Sequence, residues 1–325
     1  MTITEFRPEE LPAVCALFNA GAEEEYPHRK LTETQFSALF LEDTERVQKC
    51  SLTAWEGGQL VGFANGCVQN GKEIGYVTFV LVSPEFRRKG IGAVLLGRLE
   101  KTLAEKKALT EYQITFFNPI NLTWIVPGTP MHDHPNAPGI DVSTGAYLFF
   151  KNLGYLDFAY QNSFYLPLAQ YEMPEKIQER IRRLPERGLS ICRFDPARHH
   201  GLAELCDDLE NPLWKEELLA NAARPDGGDP LMIAEHEGQA VGFVGPLRVQ
   251  ESGRGYFAGI GVHSQFRQYG LGKAMFATLC ASLKEMGAGY MTLFTGETNP
   301  ARNIYQAAGF RIVKTWADMK KEIPQ

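Results

Sequence analysis

Val82-Ser83-Pro84-Glu85-Phe86-Arg87-Arg88-Lys89-Gly90-Ile91-Gly92 recurs 180 residues later as Val262-His263-Ser264-Gln265-Phe266-Arg267-Gln268-Tyr269-Gly270-Leu271-Gly272. Leu60-Val61-Gly62-Phe63 recurs at the same offset as Ala240-Val241-Gly242-Phe243. One shared offset this long indicates a duplicated domain, since solenoid repeats run to roughly 20–50 residues. The expected organisation is an N-terminal domain over residues 1–166, a linker over 167–188 and a C-terminal domain over 189–325.

Outward from the repeat, the same order of elements appears twice. Ser51 to Glu56 and Leu60 to Val68 flank Gly57-Gly58, and Leu231 to His236 and Ala240 to Val249 flank Glu237-Gly238, so each pair predicts a β-hairpin. A third strand follows, Ile74 to Val82 or Tyr256 to Val262, then the glycine loop and an amphipathic helix. Leu95, Leu96, Leu99 and Leu103 mark the first helix; Leu271, Met275, Phe276, Leu279 and Leu283 mark the second. Ile3 to Phe6 and Leu189 to Phe194 read as first strands, and Met291 to Thr295 as a late one. The fold class is α/β with a mixed sheet. Glu175 to Arg183, ahead of Pro185, predicts a linker helix whose basic residues form a solvated face, because acidic residues interleave them.

Composition excludes several classes of function. Hydrophobic residues make up 44% of 325, ordinary for a packed protein, and the net charge of −6 supplies no basic field for nucleic acid or an anionic membrane. No apolar run reaches the length of about 18 residues that suggests a spanning helix, and Met1-Thr2-Ile3-Thr4-Glu5 lacks the basic and apolar regions of a signal peptide, so a cytoplasmic protein is expected. Cys15, Cys50, Cys67, Cys192, Cys206 and Cys280 stand far apart without a C-x-x-C pair, which suits buried thiols in a reducing compartment.

The chemistry begins at Arg87-x-x-Gly90-x-Gly92 and Arg267-x-x-Gly270-x-Gly272, each between a strand and a helix. Backbone N–H groups at such a junction point outward, the helix N-terminus adds partial positive charge, and glycine lets a phosphate approach the backbone. A dinucleotide-binding fingerprint would need three glycines in a parallel βαβ unit, whereas an antiparallel hairpin precedes this loop.

These residues resemble the GNAT N-acetyltransferase superfamily, with its R/Q-x-x-G-x-G/A loop after a strand ending in valine. The resemblance implies two tandem GNAT-type domains, each a mixed, mostly antiparallel sheet flanked by helices, with a splayed strand pair that binds acetyl-CoA. It also implies that Arg267, Gln268, Tyr269, Gly270, Leu271, Gly272 and Lys273 hold the pyrophosphate of the co-substrate in the C-terminal copy, while Ile260, Gly261 and Val262 face its pantetheine arm. In the N-terminal copy the corresponding residues are Arg87, Arg88, Lys89, Gly90, Ile91 and Gly92, with Leu81 and Val82 on the strand.

The family's later landmark is A-x-x-x-Y-x-x-x-G-F, whose tyrosine protonates the departing thiolate. The C-terminal copy matches it with Ala301, Tyr305, Gly309 and Phe310, so the resemblance makes Tyr305 the catalytic general acid. The N-terminal copy reads Ala146, Phe150, Gly154 and Tyr155, and a phenylalanine has no proton to give. Tyr147 lies one turn earlier and points elsewhere. The C-terminal copy departs from the family where an asparagine often stands three residues before the alanine: it has Thr298 there and Asn299 one position late.

Gly90 to Gly154 spans 64 positions against 39 from Gly270 to Gly309, so the N-terminal copy carries an insertion at about residues 118–142. Its Pro127 to Asp141 stretch includes His132 and His134, whose spacing on an irregular segment is poor for a metal; an interdomain or substrate-wall loop is expected.

The expected reaction is direct attack of a primary amine of a small molecule on acetyl-CoA in a ternary complex, in a catalytic C-terminal domain beside a degenerate N-terminal one. Proximity supplies much of the acceleration, and backbone N–H near Gly261 or Val262 stabilises the oxyanion. No general base is legible: Glu235, Glu237 and Glu297 read as turn or exposed residues, and His263 as a loop residue. Glu23-Glu24-Glu25 lies where this family walls the acceptor site and could steer a cationic amine, although a solvated turn is the plainer reading. The alternatives are a protein or peptide acetyltransferase, two active domains, or a non-catalytic acyl-CoA-binding protein. Tyr305 speaks against the last and Phe150 against two equal sites.

Overall fold

The computed structural model describes residues 1–21, 26–224, 226 and 228–324. Glu23-Glu24-Glu25 lies outside the described residues. The chain divides into two compact units, Met1–Asn162 with Lys314–Gln325, and Ser163–Val313.

The first unit runs β1 (Thr2–Glu5), α1 (Leu11–Ala20), α2 (Glu33–Phe40), β2 (Val47–Glu56), β3 (Gln59–Gln69), β4 (Ile74–Val82), α3 (Ile91–Lys106) and β5 (Glu111–Ile114). The insertion adds β6 (Trp124–Ile125), β7 (Asp133–His134) and β8 (Ile140–Asp141), before α4 (Gly145–Asn152) and β9 (Leu156–Pro167). The β2–β3 hairpin turns at Gly57 and Gly58 with φ of 58° and 81°, the left-handed pair that a two-residue turn demands. Leu95, Leu96, Leu99 and Leu103 of α3 are fully buried against Leu52, Ala54, Val61 and Ala64, so the helical period read from sequence is the packing face. The insertion contains the β6–β7 ladder, with Trp124 buried and its ring stacked near His134, and His134 Nδ1 lies 2.8 Å from the Asn136 carbonyl.

The second unit repeats the plan: α5 (Glu175–Arg183), β10 (Leu189–Arg193), α6 (Leu202–Asp208), α7 (Pro212–Ala222), β11 (Met232–His236), β12 (Gln239–Gly245), β13 (Gly259–Val262), α8 (Leu271–Glu285), β14 (Tyr290–Gly296), α9 (Arg302–Ala307) and β15 (Arg311–Glu322). Strands β10 to β13 form an antiparallel sheet in sequence order. Strand β12 is shorter than expected because Pro246, which has no N–H to donate, follows Gly245. Among the described residues no helix is long and apolar enough to cross a membrane.

The boundary at 189–325 needs correction. From Lys314 onward β15 belongs to the first unit, where Met319 pairs with Ile114 and Lys321 with Tyr112 of β5. Conversely, Ser163 to Pro167 of β9 belongs to the second unit, where β9 neighbours β14 and Leu168 N donates to the Gly289 carbonyl at 2.8 Å. Each copy's last strand therefore completes the other copy's sheet. Lys321 Nζ seals the first exchange on the buried Glu100 carboxylate at 2.8 Å, which also accepts from Tyr155 Oη at 3.0 Å. Asp318 on the same strand accepts from Phe116 N at 3.1 Å and Gln161 Nε2 at 3.0 Å.

Candidate active site

Each copy's third strand begins beside a parallel neighbour and then leaves it. In the first unit Ile74 to Tyr76 pair with Glu111 to Gln113, and the pairing stops there, six residues short of Val82. In the second, Arg254 bridges Tyr290 in parallel, after which β13 pairs only with β12 among the described residues. The result in each unit, among the described residues, is a strand with one edge that lacks a partner strand as it leads to a glycine loop.

Backbone alternation says which groups face that edge. His263 N donates to Val241 O at 2.9 Å, so by the two-residue period Gly261 turns its N–H to β12 and Ile260 and Val262 turn theirs outward. Of the two oxyanion donors expected from sequence, Gly261 is thus spent within the sheet and Val262 is presented. Gly259 and Gly261 bring Trp214 and Leu209 close: a Cβ at Gly259 would stand 2.6 Å from the indole, and one at Gly261 would strike the Leu209 side chain. The positions 180 residues earlier hold Phe79 and Leu81, which fill the equivalent volume from the strand itself.

At the end of the strand the two copies are built alike. Arg87 Nε donates to Val82 O at 3.0 Å, and Arg267 Nε donates to Val262 O at 3.1 Å. Gly90 and Gly270 take φ of 82° and 69° as N-caps of α3 and α8, a conformation that favours glycine. The first-turn amides of each helix, at Ile91, Gly92 and Ala93 or Leu271, Gly272 and Lys273, have no intrahelical acceptor and point out of the helix end beside the loop. Asp208, which no motif in the sequence marks, fixes the entrance by accepting from Ser264 N at 2.7 Å and Ser264 Oγ at 2.6 Å. Those two hydrogen bonds hold its carboxyl below the usual range.

The second glycine has a separate task. A Cβ at Gly272 would come within 3.0 Å of Ile304, and one at Gly92 within 3.2 Å of Phe149, so in each unit the cradle helix approaches the residue just before the tyrosine position. Tyr305 is buried among Phe164, Phe257, Phe276 and Phe310, with ring centroids 5.5, 6.0, 5.0 and 6.4 Å away. Its hydroxyl has no hydrogen-bond partner among the described residues, and burial pushes the phenol up to about 12, so it stays protonated through the neutral range. Phe150 in the first unit is buried against Phe149 and Tyr155. Tyr147 donates to Asp157 at 2.7 Å, beside Lys151 and Tyr160 on the same carboxylate.

Of the acidic residues near the C-terminal motifs, Glu235 has its carboxylate engaged within the structure, whereas Glu237 and Glu297 are exposed. Glu235 accepts from Ser190 Oγ and Gly238 N, both at 2.8 Å, and Glu237 is the left-handed turn residue at φ 52°. Arg302 Nη1 donates to the Glu297 carbonyl at 2.6 Å. His263 Nδ1 accepts from Gln265 N at 3.3 Å, and Asn299 Oδ1 accepts from Ala301 N at 2.9 Å, which makes Asn299 the brace of the α9 turn. All six cysteines are free thiols, five of them buried.

Comparison with known proteins places this geometry. Residues 11–122 and 196–310 match the acetyltransferase (GNAT) family. Among solved structures, the chain is similar to a tandem GNAT protein from the clavulanic acid biosynthesis pathway, at 18% identity and a TM-score of 0.61 over 100% of this chain and 99% of that one. It is similar to a GCN5-related N-acetyltransferase from Sphaerobacter thermophilus, at 17% identity and a TM-score of 0.63 over 100% and 96%. It is also similar to a fungal multi-domain GH3 β-N-acetylglucosaminidase with a GCN5-related glucosamine N-acetyltransferase region, at 18% identity and a TM-score of 0.66; 98% of this chain is covered, and it spans 38% of that protein's length. At these identities the likeness is one of fold. No curated protein matches the sequence.

Proposed function

The chain belongs to the acetyltransferase (GNAT) family, and from that premise we propose that this N-acetyltransferase moves the acetyl group of acetyl-CoA to a primary amine of a small molecule, in its C-terminal copy and by direct attack. Acetyl-CoA supplies the acetyl group as a thioester, activated toward an amine held beside it. The loop from Arg267 to Lys273 holds the diphosphate on backbone N–H groups, and Arg267, by capping Val262 O, keeps the strand end in place. Ile260 and Val262 present N–H groups to the open edge, where one donates to the carbonyl oxygen as charge grows on it. The amine nitrogen bonds to the carbonyl carbon, the carbon–sulfur bond breaks, and Tyr305 gives its hydroxyl proton to the leaving sulfur. The ammonium gives up two protons in all, one to water before the attack and one after it, passed through water, that restores the Tyr305 hydroxyl.

The observation that carries this reading is the contrast between Tyr305, whose hydroxyl has no protein partner among the described residues, and Phe150 at the corresponding position. The N-terminal copy keeps a complete cradle, so we assign it acetyl-CoA binding without acid catalysis. A reducing compartment, the cytoplasm, suits the six free thiols. Release of CoA thiol from acetyl-CoA, followed across amines, amino acids, polyamines, aminoglycosides and peptides, tests the function; a peptide-only response would replace the small-molecule acceptor.

A further inference from the structure

The basic residues of the linker helix are not simply a solvated face. Helix α5 packs on α8 through Ile177, buried beside Ala274 and Ala277. That seating delivers Arg180 to the glycine loop of the same unit. Its Nη1 donates to the Tyr269 carbonyl at 3.4 Å, and its guanidinium lies over Gly270, where any Cβ would collide with it. Arg187, just past the helix, stands with its guanidinium 5.1 Å over the Tyr269 ring. No carboxylate pairs with Arg180 among the described residues. At Gly90 a Cβ would meet nothing within 4 Å, and there the loop itself carries Arg88 and Lys89 where the C-terminal loop has Gln268 and Tyr269.

We infer that Arg180 of the linker helix is a phosphate-binding residue of the C-terminal cradle, taking the diphosphate of acetyl-CoA together with the first-turn amides of α8. The inference rests on the acetyl-CoA reading above. A guanidinium carries five N–H donors in a fork that matches phosphate oxygens, and the long bond to Tyr269 O employs one of them. Its position over the φ-positive glycine puts the remaining charge at the mouth of the anion site, next to the positive end of α8. The linker thereby becomes part of the site, and Arg180 supplies a cation to a loop that has Gln268 and Tyr269 in place of Arg88 and Lys89.

Isothermal titration of the full chain tests this, with the N-terminal cradle disabled by Ala93→Glu so that one site is read. Arg180→Gln in that background should weaken acetyl-CoA by about tenfold, as loss of one charge-assisted hydrogen bond does, and Arg180→Lys should recover part of the loss. The 3′-dephospho form of acetyl-CoA should show the same loss, and acetyl-pantetheine, which has no diphosphate, should show none. Unchanged affinity, tighter binding on removal of the guanidinium, an equal loss for acetyl-pantetheine, or a loss confined to the 3′-phosphorylated ligand would each overturn the assignment. An Ala93→Glu chain that binds no acetyl-CoA while Lys273→Glu binds normally would instead overturn the C-terminal site on which the inference rests.

Discussion

Arg267 Nε donates to the Val262 carbonyl at 3.1 Å, and this bond ties the last residue of β13 to the loop that follows it. Val262 otherwise offers that carbonyl to the open edge, where water would take it. With the carbonyl occupied, the edge next to the cradle presents mainly N–H donors, which suits a ligand that brings oxygen acceptors. Arg87 and Val82 repeat the arrangement at 3.0 Å, so the arginine of the repeated motif has a structural role in both copies before any ligand arrives.

The first-turn amides are the core of the proposed phosphate site, and a glutamate at the third helical position folds back onto such amides itself. Lys273→Glu should therefore abolish acetyl-CoA binding to the C-terminal cradle and leave the melting temperature near that of the parent, because an acidic first turn suits a helix dipole. Ala93→Glu should remove the N-terminal site alone. Calorimetric stoichiometry in the two variants checks the assignment, and unchanged binding in both would place the co-substrate elsewhere.

The strand exchange predicts where stability resides. Lys321→Met keeps most of the apolar stem and leaves the buried Glu100 without its cation, at a cost of about 1–2 kcal/mol after allowing for the partial exposure of the amine. Urea denaturation should show that loss. An unshifted midpoint would mean that β15 is held by its ladder and core residues alone.

Asp157 gives a pH-dependent test of the cluster that engages the Tyr147 hydroxyl. Burial pushes this carboxyl up, and hydrogen bonds from Lys151, Tyr147 and Tyr160 more than offset it, so the native group titrates below the usual carboxylate range. A lowered native pKa stabilises above the unfolded pKa of about 3.9 and is lost as pH falls through the native value. Asp157→Asn should cost about 1–2 kcal/mol at pH 7, and the cost should shrink as the pH falls below the unfolded value and through the native one, while turnover is preserved. A pH-independent difference would contradict the cluster.

Much of this was legible in the chain. The 180-residue repeat, the hairpins turning at Gly57-Gly58 and Glu237-Gly238, and the leucine face of α3 are local patterns that packing preserves. The exchange of β9 and β15 was not legible, because a strand's own alternation does not name its partner when two equivalent sheets lie along one chain. The same limit applies in the site. The motif marks Gly270 and Gly272, but Arg180 and Asp208 reach the loop from 89 and 56 residues away through helix packing, and no spacing rule encodes that.

The most direct test of the central claim is the rate of CoA thiol release by wild type and Tyr305→Phe on any amine that the wild type accepts, with acetyl-CoA affinity and melting temperature measured alongside. The Phe ring keeps the contacts with Phe164, Phe257, Phe276 and Phe310 and loses only the hydroxyl, which has no protein partner among the described residues. The account predicts a fall in kcat on the order of 10² to 10⁴, with acetyl-CoA affinity and melting temperature nearly unchanged, because the proton is needed only in the transition state. Full turnover in Tyr305→Phe, from a wild type that is active, would contradict it.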